Sequence, residues 1–366
     1  MKTINLQFND FRNLHQGQIN PCENINIIAG DNAQGKTNII EAIWLFTGGR
    51  SFRHAKEHQM ITFDKQSSAL NMTFDAFSRK QQALLEIFPN KRTVTLNGAN
   101  KGLATSIIGT FCTVIFSPTH LNIVKGGPNE RRRFVDAAIC QIKSLYPTFL
   151  SKYQHTLKQR NALLKDIKLH PSLIDTLDVW DYKLSTYAAE IVIQRSKYVK
   201  KISSLSRIIY DGITTGKEYL DISYDKAYDN NCSTKENLIK FINSKLKSKQ
   251  EIDLANKTTS FGPHRDNIEI NINNKSARIY GSQGQQRSSV LSLKLAEAEL
   301  IKQENNEPPV ILLDDVMSEL DLGRQNYLLN SIKDTQVFIT CCEPETLIRL
   351  TKGKVFKVEQ GKVYEN

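Results

Sequence analysis

Gly30-Asp31-Asn32-Ala33-Gln34-Gly35-Lys36-Thr37 matches G-x-x-x-x-G-K-[ST] without a gap. Phosphate binding needs backbone N–H groups that point inward, and the fixed glycines let the chain wrap that tightly. An apolar run, Ile25-Asn26-Ile27-Ile28-Ala29, precedes the motif and reads as a buried strand. From Lys36 the spacing turns helical, with Ile39, Ile40, Ile43, Trp44 and Phe46 on one stripe. A helix starting there aims the positive end of its dipole at a β-phosphate. Lys36 is expected to reach the β/γ oxygens and the Thr37 hydroxyl to ligate Mg²⁺. The predicted nucleotide-contacting set is Gly30, Asp31, Asn32, Ala33, Gln34, Gly35, Lys36, Thr37 and Asn38. A glycine-rich turn that merely ends in lysine is the bland alternative; the flanking strand and helix speak against it.

Working outward, Val310-Ile311-Leu312-Leu313-Asp314-Asp315 places two carboxylates after four apolar residues. A buried strand ending in Asp sets that carboxylate beside a nucleotide-bound Mg²⁺, the Walker B arrangement. Asp314 is expected to hold the metal through water, and Asp315 to orient or deprotonate the attacking water. Between the two sites lies Tyr280-Gly281-Ser282-Gln283-Gly284-Gln285-Gln286-Arg287-Ser288, leading into a helical pattern from Val290 to Ile301. Small and amide residues at a helix start make an anion site, although the string by itself reads as well as a polar N-cap.

Around these motifs the chain reads as an α/β protein. Strand patterns occur at Ile4–Phe8, Ala69–Phe77, Ala83–Phe88, Thr93–Leu96 and Thr113–Phe116, and return at Ile268–Ile272, Gln336–Thr340 and Lys354–Val358. Helical spacing dominates Phe134–Leu164 and Ser172–Tyr210. A sheet split by a helical insertion is the economical topology, with one lobe formed by 1–120 and 258–366 and the insertion by 121–257. The 366 residues exceed what one ordinary core organises, which agrees with two lobes.

Lys and Arg number 49 against 38 Asp and Glu, a net charge of +11. A polyanionic partner and a merely basic surface are equally compatible with that excess. No apolar run reaches the roughly 20 residues of a membrane span, and the first ten residues alternate rather than form a signal peptide. Cysteines 22, 112, 140, 232, 341 and 342 contain no C-x-x-C pair, so a reducing cytoplasm is expected. His54 and His58 are spaced i, i+4 but lack a third ligand, and exposed helical residues are the expected account. Arg131-Arg132-Arg133 follows a helix-start composition; phosphate contact and structural pairing both remain open.

The order phosphate loop, Ser-x-Gly-Gln-Gln, apolar-Asp-Asp, Ser-Glu-Leu-Asp resembles the head of ABC-type ATPases of the SMC group. The closer resemblance is to the RecF family of bacterial recombination mediators. It rests on Phe11–Leu14, Gly30–Glu41, Phe116-Ser117-Pro118, Lys125–Pro128, Arg131–Asp136, Gly262–Asp266, Gly281–Arg287 and Leu312–Asp321. The resemblance implies an SMC-like ABC-ATPase head with a mainly helical inserted lobe, and ATP with Mg²⁺ as its ligands. It also implies that Ser282, Gly284 and Gln285 form a signature motif completing the opposite subunit's site, with Ser318–Asp321 as the D-loop beside it. The implied mechanism is an ATP-dependent head-to-head homodimer that hydrolyses ATP slowly as a switch, with Lys36, Asp315 and Ser282 as its catalytic groups. The implied partners are double-stranded DNA and its junctions with single strands, RecR with RecO, and RecA downstream. DNA repair, replication and the SOS response would be its setting.

This sequence departs from the general ABC pattern at four places. The signature reads Ser-Gln-Gly-Gln, Asp315 stands where many relatives have Glu, no glutamine is evident near 112–118, and Cys341 and Cys342 stand where a histidine is usual. A transporter nucleotide-binding subunit is the alternative reading. The absent histidine, Asp315 and the basic insertion, which carries 19 Lys and Arg against 13 Asp and Glu over 151–260, argue against it.

Overall fold

A computed structural model describes residues 1–224, 226–228, 234–345 and 353–365; Cys232 lies outside the described residues. The chain forms two compact units, one of Met1–Leu121, Ile208–Lys217 and Arg287–Asn366, the other of Asn122–Arg207 and Glu218–Gln286.

The first unit holds two six-stranded sheets. Strands buried on both faces appear in sequence as nearly continuous apolar runs. Ile25–Ala29, Val337–Cys341, Val310–Leu313 and Thr113–Phe116 are such runs, and they lie side by side in parallel in that order. Leu313 is in register with Ile339 on one side and Phe116 on the other, and Ile339 with Ile27. The carboxyl ends of all four therefore share one edge, where loops of parallel sheets collect their ligands. Lys354–Glu359 adds a parallel strand beyond Ile25–Ala29, and Lys362–Glu365 closes that side antiparallel. The second sheet is antiparallel, in the order Leu14–Ile19, Lys2–Phe11, Ser68–Ala76, Arg79–Phe88, Lys91–Leu96, Ala99–Leu103.

Two of these strands are not evident from pattern. Leu14–Ile19 carries His15, Gln16 and Gln18, and Ala99–Leu103 is exposed at every residue. Each is held as an edge by pairing with its neighbour, a tertiary cause that overrides local propensity. The region of His54 and His58 is not the expected helix. His54 has φ 59° and His58 sits in the 3₁₀ turn Glu57–Met60.

The second unit is mainly helical. It contains Pro128–Ile142, Tyr146–Asp166, the greater part of Leu177–Thr214, Lys235–Ser248 and Gln250–Asn256. A three-stranded sheet, Lys275–Ser276, Ile268–Ile272 and Leu220–Tyr224, completes it. Buried ionic contacts tie its helices together. Arg160 Nε donates to Asp181 (2.5 Å), and its Nη1 donates to Asp253 (2.7 Å) and Thr259 (2.9 Å). Arg195 makes two hydrogen bonds to Asp136, each 2.9 Å. Among the described residues, no helix is long and apolar enough to cross a membrane.

Candidate functional site

The loop after Ile25–Ala29 turns back on itself through two glycines that nothing larger can replace. Gly30 has φ 156°, and a Cβ there would stand 2.3 Å from the carbonyl oxygen of Val358. Gly35 has φ 120°, and its Cβ would stand 2.8 Å from Asn13 Oδ1. The loop's outer side is pinned by polar contacts. Asn13 Nδ2 donates to the Gln34 carbonyl (3.0 Å), Asn38 Nδ2 donates to Asn13 Oδ1 (2.7 Å), and Gly361 N–H donates to the Gln34 carbonyl (3.1 Å). Helix Lys36–Leu45 then begins with no side-chain cap, so its first-turn N–H groups face the loop.

Lys36 is buried to 4% exposure. Its ammonium donates to the carbonyls of Gly30 (2.6 Å) and Asp31 (2.9 Å) and contacts Cys342 Sγ at 3.4 Å. The Cys342 thiol in turn donates to Asn32 Oδ1 (3.3 Å). Cys342, one of the two cysteines that follow Thr340, thus lies against the loop.

Asp314 and Asp315 leave the end of Val310–Leu313 on the same edge. Thr37 Oγ1 donates to Asp314 Oδ1 at 2.8 Å. Thr340 Oγ1 lies 3.1 Å from that same oxygen and 3.3 Å from Asp315 Oδ1, so its single proton serves both carboxylates, and it accepts the Asp315 N–H at 2.8 Å. Burial, with the Asp315 charge added, pushes the Asp314 carboxyl above the usual carboxylate range; the Thr37 hydroxyl opposes that shift. The donor set fits Mg²⁺, because Thr37 and Asp314 offer hard oxygens only and a phosphate-bound Mg²⁺ needs just one or two protein ligands. Among the described residues no cluster of three or more His, Cys, Asp or Glu offers a closed metal cage. Asp315 has φ 53°, a left-handed backbone that costs strain for a non-glycine residue and fixes where its short side chain points.

The motifs assign no role to Thr340 or to the pair Arg12–Glu41, although Arg12 and Glu41 fall within the stretches that carry the resemblance. Glu41 is fully buried on the helix after the loop and accepts two hydrogen bonds of 2.9 Å from Arg12 and one from Ser51. Arg53 Nη1 donates to Asn38 Oδ1 at 2.8 Å. An acid one helical turn past Thr37 was the available signal. After Thr113–Phe116, where a glutamine was sought, Ser117 N–H donates to His120 Nδ1 at 3.1 Å.

In the second unit, Ser282, Gly284 and Gln285 stand at the start of helix Gln283–Asn305. Ser282 N–H donates to Gln285 Oε1 (2.7 Å) and Gln285 N–H donates to Ser282 Oγ (3.2 Å), the reciprocal pattern of a capping box. In the first unit, Ser318 Oγ donates to the Asp315 carbonyl (3.1 Å), and Asp321 caps helix Leu322–Ser331 through Arg324 N–H (3.0 Å). Of the three consecutive arginines, Arg131 binds the Gly126 carbonyl (3.0 Å) and Asn267 (2.9 Å), and Arg132 binds the Asp266 carbonyl (2.6 Å). Arg133 pairs with Glu130. Structural pairing accounts for the first two, and only Arg133 is open to solvent beyond half.

The model of the RecF/RecN/SMC N terminal domain family matches residues 2–363. The "DNA replication and repair protein RecF" of Acetivibrio thermocellus is 41% identical over 362 residues, covering 97% of both chains. That of Agathobacter rectalis is 41% identical over 361 residues, covering 98% of this chain and 97% of its own. Among solved structures, the recombination mediator protein RecF with ATP, of the RecFOR pathway, superposes with a TM-score of 0.94 at 34% identity. It covers 100% of this chain and 97% of its own. The Smc head domain from Pyrococcus furiosus, at 15% identity and a TM-score of 0.57, shares the fold. The expected SMC-like ABC-ATPase head is thus the observed one.

Proposed function

Because this chain belongs to the RecF family of DNA replication and repair proteins, we propose that it is an ATP-switched, DNA-binding recombination mediator. One observation carries the reading: Lys36, Thr37 and Asp314 converge at the carboxyl edge of the parallel sheet, at a helix start that no side chain caps. Lys36 neutralises the β/γ-phosphates; Thr37 and Asp314 would hold Mg²⁺, which when bound would screen the phosphate charge. The contacts of Gly30–Asn38 define the nucleotide cradle.

Two copies then close head to head over two nucleotides, each presenting Ser282, Gly284 and Gln285 to the other's γ-phosphate. In this reading residues 1–120 and 258–366 carry the ATP chemistry and 121–257 form the inserted lobe, although the compact units divide elsewhere, with Ile208–Lys217 in the first and 258–286 in the second. The dimer engages duplex DNA beside single-stranded gaps, with RecR and RecO as partners and RecA loading as outcome, in the cytoplasm. Hydrolysis is slow. The Asp315 side chain is one methylene shorter than Glu and reaches about 1.5 Å less far; misplacement of about 1 Å can cost on the order of a hundredfold.

Steady-state ATP turnover, measured against protein concentration and duplex DNA at two salt concentrations, tests this. Turnover should be well below one per second and rise with both protein and DNA. The DNA effect should fade at high salt and ignore base sequence, as phosphate contacts do. Turnover of tens per second, independent of protein and DNA, would identify a self-contained monomeric ATPase instead.

A further inference from the structure

The capping box at Ser282 has a third member that belongs to no motif. Gln285 uses its side-chain oxygen to accept the Ser282 N–H, and its Nε2 donates to Glu218 Oε1 at 2.6 Å. A side-chain amide can present either its oxygen or its NH₂ to a neighbour, whereas a carboxylate only accepts. Glu218 therefore decides which way the Gln285 amide faces. With Nε2 turned to Glu218, Oε1 must face Ser282 N–H, and the reciprocal bond from Gln285 N–H to Ser282 Oγ follows. A hydroxyl that accepts through one lone pair keeps its hydrogen to donate elsewhere, and Ser282 is exposed.

Glu218 is itself fixed. It lies two residues before strand Leu220–Tyr224. The next residue, Tyr219, exchanges hydrogen bonds with Asn273, whose Oδ1 accepts the Tyr219 N–H (3.0 Å) and whose N–H donates to the Tyr219 carbonyl (3.1 Å). The Arg207 guanidinium stands 5.3 Å over the Tyr219 ring. The carboxylate is thus delivered by the three-stranded sheet.

We propose that Glu218 is the positioning residue of the Ser282 loop, holding Gln285, and through it the Ser282 hydroxyl, in the orientation that meets the γ-phosphate bound by a second copy. This rests on the head-to-head reading above. Full-length Glu218→Ala and Glu218→Gln test it, with ATP affinity, thermal melting, ATP-dependent dimerisation and turnover as readouts. Wild type that fails to dimerise with ATP would sink the head-to-head reading itself. Given that it dimerises, Glu218→Ala should weaken dimerisation about tenfold, the scale of one charge-assisted hydrogen bond, while monomer ATP affinity and melting stay unchanged. Glu218→Gln, whose side-chain oxygen still accepts from Gln285, should remain within about threefold of wild type.

Mixing supplies the readout that a merely structural role would not move. Glu218→Ala keeps an intact ATP cradle, and Asp315→Ala still binds ATP and keeps an intact Ser282 loop. Together they should turn over ATP faster than either variant alone. Dimerisation of Glu218→Ala equal to wild type, or no recovery on mixing, would overturn the proposal.

Discussion

Lys36→Ala is expected to weaken ATP binding by at least about a hundredfold, roughly 3 kcal/mol, and to abolish ATP-dependent dimerisation. Lys36 is 4% exposed, and its ammonium is held by the Gly30 and Asp31 carbonyls. A nucleotide exchanges those carbonyls for charged phosphate oxygens, which bind an ammonium more strongly than neutral acceptors do. Alanine leaves the triphosphate with backbone N–H groups and Mg²⁺ alone. Isothermal titration with ATP checks this; an affinity within about threefold of wild type would remove Lys36 from the site.

The second large effect concerns stability. Arg160 is fully buried between Asp181 and Asp253, and Arg160→Ala leaves two carboxylates in the interior without their cation. Breaking such a cluster by removing one partner costs about 3–5 kcal/mol. Burial already pushes the Asp181 carboxyl above its ordinary range despite the guanidinium, so losing the guanidinium should drive it toward protonation. Replacing Arg160, Asp181 and Asp253 together by apolar residues of similar volume should cost much less, because no orphan charge remains. Urea unfolding followed on the second unit's helical signal separates these outcomes. A loss below about 1 kcal/mol in the single variant would mean that the cluster is hydrated.

The parts of the site legible in sequence are those whose chemistry forces a local pattern. A phosphate wrap demands Gly30, Gly35 and Lys36 in fixed spacing, and a double-faced buried strand demands the run before Asp314. The structure brings Thr37 and Asp314 within hydrogen-bond distance, although they stand 277 positions apart in the chain. What escaped was supplied by tertiary neighbours. Thr340 sits in an ordinary apolar strand and matters only because that strand lies between the loop and the carboxylates. Glu218 lies in a stretch read as basic helical insertion, and its strand, Leu220–Tyr224, is defined by pairing with Ile268–Ile272. For the arginine triplet the sequence leaves phosphate contact and structural pairing open, and tertiary neighbours decide: Arg131 and Arg132 are spent on Asn267 and the Asp266 carbonyl.

The central claim is that ATP drives two copies together and that Ser282 acts on the other copy's nucleotide. Mass in solution, measured with ATP, with ADP and without nucleotide, tests it for wild type and for Ser282→Arg. Wild type should pass from 41.6 kDa to twice that mass with ATP alone. Ser282→Arg should bind ATP with unchanged affinity and stay at the monomer mass, because the bulky cation blocks the opposing face and spares its own cradle. A wild type that stays monomeric with ATP, or a Ser282→Arg variant that doubles in mass normally, would contradict the account.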